Sequence, residues 1–348
     1  MSLARALARA VALGLFVAAA GCGGGPEVIL RTAAGAEMTA ERIDADPSWL
    51  LPPGGVGWFH VDVQRTAQAE FGQYLLEDLE ARVPLPPSAG LVLSRDVDRF
   101  SLATYSMKGI DFAGVASGRF DVERITAAAA EYKGGAFAPA LTKSQYAGRT
   151  LFTALGVGFS LITARTAIFG NEVAIRRCLD RIQDGRVADD MPAWIKELVA
   201  TPNATFSVGV DLNAATATAA LPARISVLQG SSAARGIGNF DAPGINLAAT
   251  ISYANEAAAR SSADELLRLG GSVNMYARLF GLGQPIQKLE TQASGTDTRV
   301  VLGVDKAAIQ TLMQRFLPPP AAPSNQGPGW ATRSSVLRDP PTAARSDP

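Results

Sequence analysis

Histidine occurs once in these 348 residues, cysteine twice, and neither sign of charge is in excess, with 32 lysines and arginines against 32 aspartates and glutamates. Each scarcity removes a class of chemistry. One imidazole, His60, cannot by itself build a histidine-based zinc site, and no recognisable nucleophile motif offers it a serine triad. Cys22 and Cys178 make no zinc-type pair. Without a basic surplus the chain presents no field for nucleic acid. Gly55-Val56-Gly57 and Gly236-Ile237-Gly238 hold fragments of the dinucleotide pattern, but the first precedes a strand and the second opens no helix. Asp96-Val97-Asp98 lacks the later oxygen ligands and closing glutamate of a calcium loop and reads as a turn. Ser106 and Lys108 stand two apart, not the three that brings a helical Ser-Lys pair to one face. No cofactor and no metal are expected. What is plentiful is core material: 47% of residues are hydrophobic and 18% charged, enough for one large domain or two ordinary ones.

The most distinctive pattern is at the start. Arg5 and Arg9 precede the apolar run from Ala10 to Ala20, which closes on Gly21, Cys22 and three glycines. A basic start, an apolar segment too short for a bilayer core, and small residues at the cut make a secretory signal. Ala20, Gly21 and Cys22 fit the last three places of bacterial lipoprotein signals, which this segment resembles, while Ala19 stands where that family prefers leucine. The resemblance covers only residues 1–25. It implies that residues 1–21 are removed as a signal peptide and that Cys22 becomes the first residue of the mature chain. Lipid, palmitate among its acyl groups, would then join the Cys22 sulfur and hold the chain to a membrane. Gly23, in place of an aspartate, implies sorting to the outer membrane, facing the periplasm. A second cut stays open, because Ala18 and Ala20 also form an A-x-A site that would release a soluble exported protein. The signal takes Arg5 and Arg9 with it, so 32 basic residues become 30 against 32 acidic ones, a net charge of −2.

From Cys22 to Asp46 the chain is rich in Gly and Ala, with Val28, Ile29 and Leu30 its one apolar cluster, and reads as a lipidated tether over 22–46. Pro318-Pro319-Pro320 opens a Pro-, Ser- and Ala-rich tail over 318–348 that cannot bury enough apolar area to order itself. The body between mixes strand and helix patterns. Phe59, Val61 and Val63 alternate, then Phe71, Leu75 and Leu79 recur at helical spacing. Strands follow at 99–105 and 112–120, a helix capped by Asp121, further strands at 148–155, 158–163 and 166–169, then helices near 171–184 and 193–200. After Pro202 the order restarts: Val208, Val210 and Leu212 match Phe59, Val61 and Val63, and Asp211 matches Asp62. Residues 247–253 form a strand before a long helix at 256–282, and Leu302-Gly303 repeats the strand-to-helix junction of Phe169-Gly170. The expected fold is therefore α+β with two similar halves, 47–201 and 202–317, each an antiparallel sheet with helices packed on one face.

Within this frame the chemistry-bearing residues are few. His60 shares a strand face with Trp58 and Asp62, so His60, Asp62 and the matching Asp211 are the candidates for a groove between the halves. A histidine at the sheet edge or hydrogen-bonded under a helix is the plainer reading of His60. Val173, Ile175, Leu179 and Ile182 put Cys178 on an apolar helix face, as a small core residue rather than a reactive thiol. Small residues from Ala214 to Leu228 suggest a helix packed closely on a sheet. The functional expectation is a non-catalytic binding or scaffolding lipoprotein, whose partners are the membrane, through Cys22, and a protein or small-molecule ligand. The alternatives are an envelope enzyme using the carboxylates and His60, or a lipid carrier with an apolar cavity.

Overall fold

The structure is a computed structural model, and it describes residues 28–31, 37–83, 85–106, 111–134, 139–186, 192–213, 226–281 and 283–316. The signal segment, the Pro-rich tail and most of 214–228 lie outside them. The segment expected to be a tether is folded in part. Val28–Arg31 (β1) pairs antiparallel with Glu37–Thr39 (β2), and helix α1, Ala40–Ala45, follows with the Thr39 hydroxyl accepting from the Arg42 amide. Met38 and Ile43 enter the main core at 1% and 0% exposure, so the folded body starts well before residue 47. Two apolar side chains spaced through a Gly- and Ala-rich stretch suffice to dock it.

The first half continues with β3, Gly57–Asp62, and then α2, Val63–Thr66, capped by the Asp62 carboxylate on the Arg65 amide at 2.9 Å. Helices α3, Glu70–Glu80, and α4, Leu93–Asp96, lead to β4, Val97–Thr104, and β5, Phe112–Gly118. As expected, Asp121 caps α5, Val122–Glu131, accepting from the Arg124 amide at 3.0 Å. Strands β6, Thr142–Tyr146, β7, Arg149–Ala154, β8, Val157–Leu161, and β9, Thr166–Asn171, run into α6, Glu172–Gln183. Helix α7, Ala193–Val199, ends this half. The second half holds β10, Phe206–Asp211, β11, Ser231–Asn239, β12, Gly244–Tyr253, α8, Glu256–Leu279, β13, Ile286–Ser294, β14, Asp297–Asp305, and α9, Lys306–Phe316.

All strands from β3 on join one 12-stranded sheet in the order β13-β14-β12-β11-β10-β3-β4-β5-β9-β8-β7-β6, antiparallel throughout. The halves share a strand order. Outward from the centre each has three antiparallel strands, then a hairpin whose second strand pairs back on the third, β9 on β5 and β14 on β12. The helix between is α5 in one half and α8 in the other, and β6 and β7 are extra in the first. At the join β3 pairs with β10 and Phe59 faces Val208, the two residues that the sequence pattern makes equivalent. The halves therefore meet through backbone hydrogen bonds in one continuous sheet rather than as two separate sheets.

The pleat sends Trp58, His60 and Asp62 to one face and Phe59 and Val61 to the other. On the His60 face, Trp58, Ala103, Val115 and Ile168 pack against Ile175, Cys178, Leu179 and Ile182 of α6. On the Phe59 face, Val61, Ala167 and Phe206 pack against Leu76 of α3 and Ile125 and Ala128 of α5. The first half thus adds a second helical layer to the one expected, because its central strands are apolar on both faces. In the second half α8 packs Ala259 against Ile251, Tyr253 and Val300.

Candidate functional site

His60 lies at the centre of the sheet under α7. In register with it are Ser101 on β4 and Ser207 on β10, so one row crosses three strands on one face. The His60 Nδ1 is 2.8 Å from the Ser101 Oγ, and the Ser207 hydroxyl donates to the Leu198 carbonyl of α7 at 3.0 Å. Trp194 of α7 lies against Gly209, where a Cβ would fall 2.2 Å from its ring. The Arg235 guanidinium sits 5.7 Å from the centre of the same ring, on its way from β11. Between α7 and the sheet, a void of about 10 Å³ is lined by Trp58, His60, Ser101, Trp194 and Ser207 among others.

A serine and a histidine at hydrogen-bond distance are the first requirement for an activated nucleophile. The remaining requirements are not met here. Burial, reinforced by the Arg99 guanidinium and opposed by Asp62, lowers the His60 pKa to about 4, so the imidazole is neutral at ordinary pH. Among the described residues nothing hydrogen-bonds the Nε2 that would orient a catalytic imidazole. The Asp62 carboxylate is turned to its own helix, accepting from the Arg65 amide and lying 3.3 Å from the Arg65 Nε. The void holds one water at most, far below the volume of a substrate. Of the two plainer readings of His60, the sheet edge does not apply, since β3 is a central strand, and hydrogen bonding under a helix describes this geometry.

The three groove candidates do not converge. Asp62 sits beyond the Val61–Phe206 pair and Asp211 beyond the Gly57–Val210 pair, at opposite ends of the β3–β10 ladder, roughly 20 Å apart along the strands. The Asp211 carboxylate accepts from the Asn213 amide at 3.0 Å in a local turn. Cys178 is fully buried in α6, and burial pushes its thiol up to about 12, as suits a core residue. Asp96 accepts from the Val92 amide and pairs with Arg95 at the end of α4, and Val97 and Asp98 already belong to β4, so a short helix running straight into the strand replaces the expected turn. Among the described residues no three His, Cys, Asp or Glu side chains gather as metal ligands. Ser101 is the partner that sequence reasoning missed: it lies 41 residues from His60, and only the β3–β4 register brings it there.

The fold defines an α+β protein built on one open antiparallel sheet. No protein-family model matches the chain, and no curated protein matches it in sequence. Among solved structures it is similar to TP0453: crystal form I superposes with a TM-score of 0.47 at 11% identity, covering 78% of this chain and 97% of that one. Form III gives 0.45 at 10%, covering 78% and 98%, and form IV gives 0.44 at 10%, covering 77% and 96%. Likeness at this level transfers nothing about function.

Proposed function

We propose that this chain is a lipid-anchored lipoprotein of the cell envelope, held at the periplasmic face of the outer membrane, that binds or scaffolds rather than catalyses. The observation that carries the anchor is Ala20-Gly21-Cys22 closing an apolar run behind Arg5 and Arg9. Two lipid chains or more on Cys22 suffice for stable membrane attachment, and no described helix is long and apolar enough to add a span. The non-catalytic part is supported by the one histidine, half-buried, neutral and facing a void too small for a substrate. The same void is too small for a lipid chain, which weighs against a carrier using that space. Replacing Cys22 with Ser tests the anchor: metabolic labelling with a fatty acid should lose its signal and the protein should leave the membrane fraction. Absence of label in the natural protein would overturn the proposal. The enzyme alternative gains if a hydrolase or transferase activity is found and then lost in His60→Asn with thermal stability unchanged.

A further inference from the structure

Beyond the His60 void the same sheet face ends in a second concavity, a cleft of about 320 Å³ lined by Asp44, Asp62, Gln64, Asp98, Arg99, Ser117 and Arg165. That volume lies at the lower end of small-molecule sites, roughly 300 to 1,000 Å³. Its floor is a row in register, Asp62 on β3, Arg99 on β4 and Ser117 on β5. Several of its groups are tied into the fold. The Asp44 Oδ1 accepts from the Thr163 and Thr166 hydroxyls at 2.6 and 2.7 Å, and the Gln64 amide donates to the Ser94 and Val97 carbonyls at 3.2 and 2.7 Å. Asp98 holds Arg165 and Arg119 only loosely, at 3.6 and 3.9 Å.

Two donors are uncommitted. Among the described residues the Arg99 guanidinium makes no hydrogen bond or ion pair, and the Ser117 hydroxyl beside it makes no hydrogen bond. An arginine is charged at every physiological pH and presents a planar fork suited to an oxyanion. A bare anion would meet three carboxylates in the same cleft, and a bare cation two guanidiniums. The mixed lining therefore favours a ligand carrying both signs. Asp44 and Asp62 keep acceptor capacity, since a carboxylate offers about four lone-pair sites.

We propose that this cleft binds a small zwitterion, its carboxylate or phosphate taken by Arg99, Arg165 and Ser117, and its ammonium group by Asp44 and Asp62. The inference stands on the cleft alone and does not need the lipid anchor. Such chemistry comes from two sources, a free small molecule or the headgroup of an ethanolamine phospholipid.

The test uses the full mature chain with Cys22→Ser, so that no anchor contributes. Calorimetric titration with O-phosphoethanolamine should show saturable binding, with inorganic phosphate and ethanolamine each at least roughly tenfold weaker. Arg99→Gln and Ser117→Ala should weaken it, Arg99→Gln by roughly tenfold or more, while Asp211→Asn at the far end of the ladder should leave it unchanged. Vesicles of phosphatidylethanolamine in phosphatidylcholine, compared with phosphatidylcholine alone, form the second arm. Binding there that depends on Arg99 assigns the lipid source, and binding only in solution assigns the free one. No saturable binding in either arm, binding indifferent to Arg99→Gln, or phosphate alone binding as well as the zwitterion would overturn the proposal.

Discussion

At the scale of single residues, His60 couples the core to pH. Its folded pKa of about 4 lies below the ordinary 6.5, so between these values the unfolded chain takes up a proton that the folded one refuses. Stability from this group is complete above about pH 6.5 and is lost as pH falls toward about 4, by roughly 3 kcal/mol in all. Urea unfolding across that window should show the loss in the natural protein and a flatter profile in His60→Asn, and equal slopes in both would refute the burial argument. Gly209 is the other residue with a defined burden, because Trp194 occupies the place of its side chain. Gly209→Ala should displace Trp194, loosen α7 and destabilise the protein by about 1 to 3 kcal/mol, with red-shifted tryptophan emission; unchanged stability would mean that α7 yields freely. Neither effect was legible in sequence. The alternation at 56–63 placed His60 and Asp62 on one face, but Ser101 and Trp194 reach that face from remote segments.

At the scale of elements, legibility followed apolar contrast. The strands β3, β5, β9, β10 and β12 have apolar faces, and their alternation was readable. Strands β6 and β13 were not, and they are the two edges of the sheet. Their sequences, Thr-Lys-Ser-Gln-Tyr and a nine-residue run containing Lys288, Glu290 and Gln292, are polar, as suits edges that must not recruit another chain. Strand β11 was also hidden, for a different reason. Its Gly236 and Gly238 supply no side chains because Leu247 and Phe206 from neighbouring strands lie over them. Helices α5, α6 and α8 were found through Asp121, the spacing around Cys178 and the run after Asn255, all local signals. The short strand β2 and helix α1 were mistaken for tether because two buried side chains, Met38 and Ile43, leave little periodicity.

At the scale of the whole molecule, the two-half organisation was legible and its join was not. Matching Val208 to Phe59 identified equivalent strands, yet a pattern along one chain cannot show that these strands pair with each other and extend one sheet. That pairing separates Asp62 from Asp211, and the cleft proposed to bind a ligand lies not at the join but at one end of the sheet face. The central claim concerns where this sheet is held. Mass spectrometry of the N-terminal peptide of the mature protein bears on it most directly. The expected result is a chain beginning at Cys22 with a diacylglyceryl group on its sulfur and an acylated amine. A chain beginning at Gly21 with an unmodified Cys22 thiol would instead establish the A-x-A cut after Ala20 and contradict the anchor.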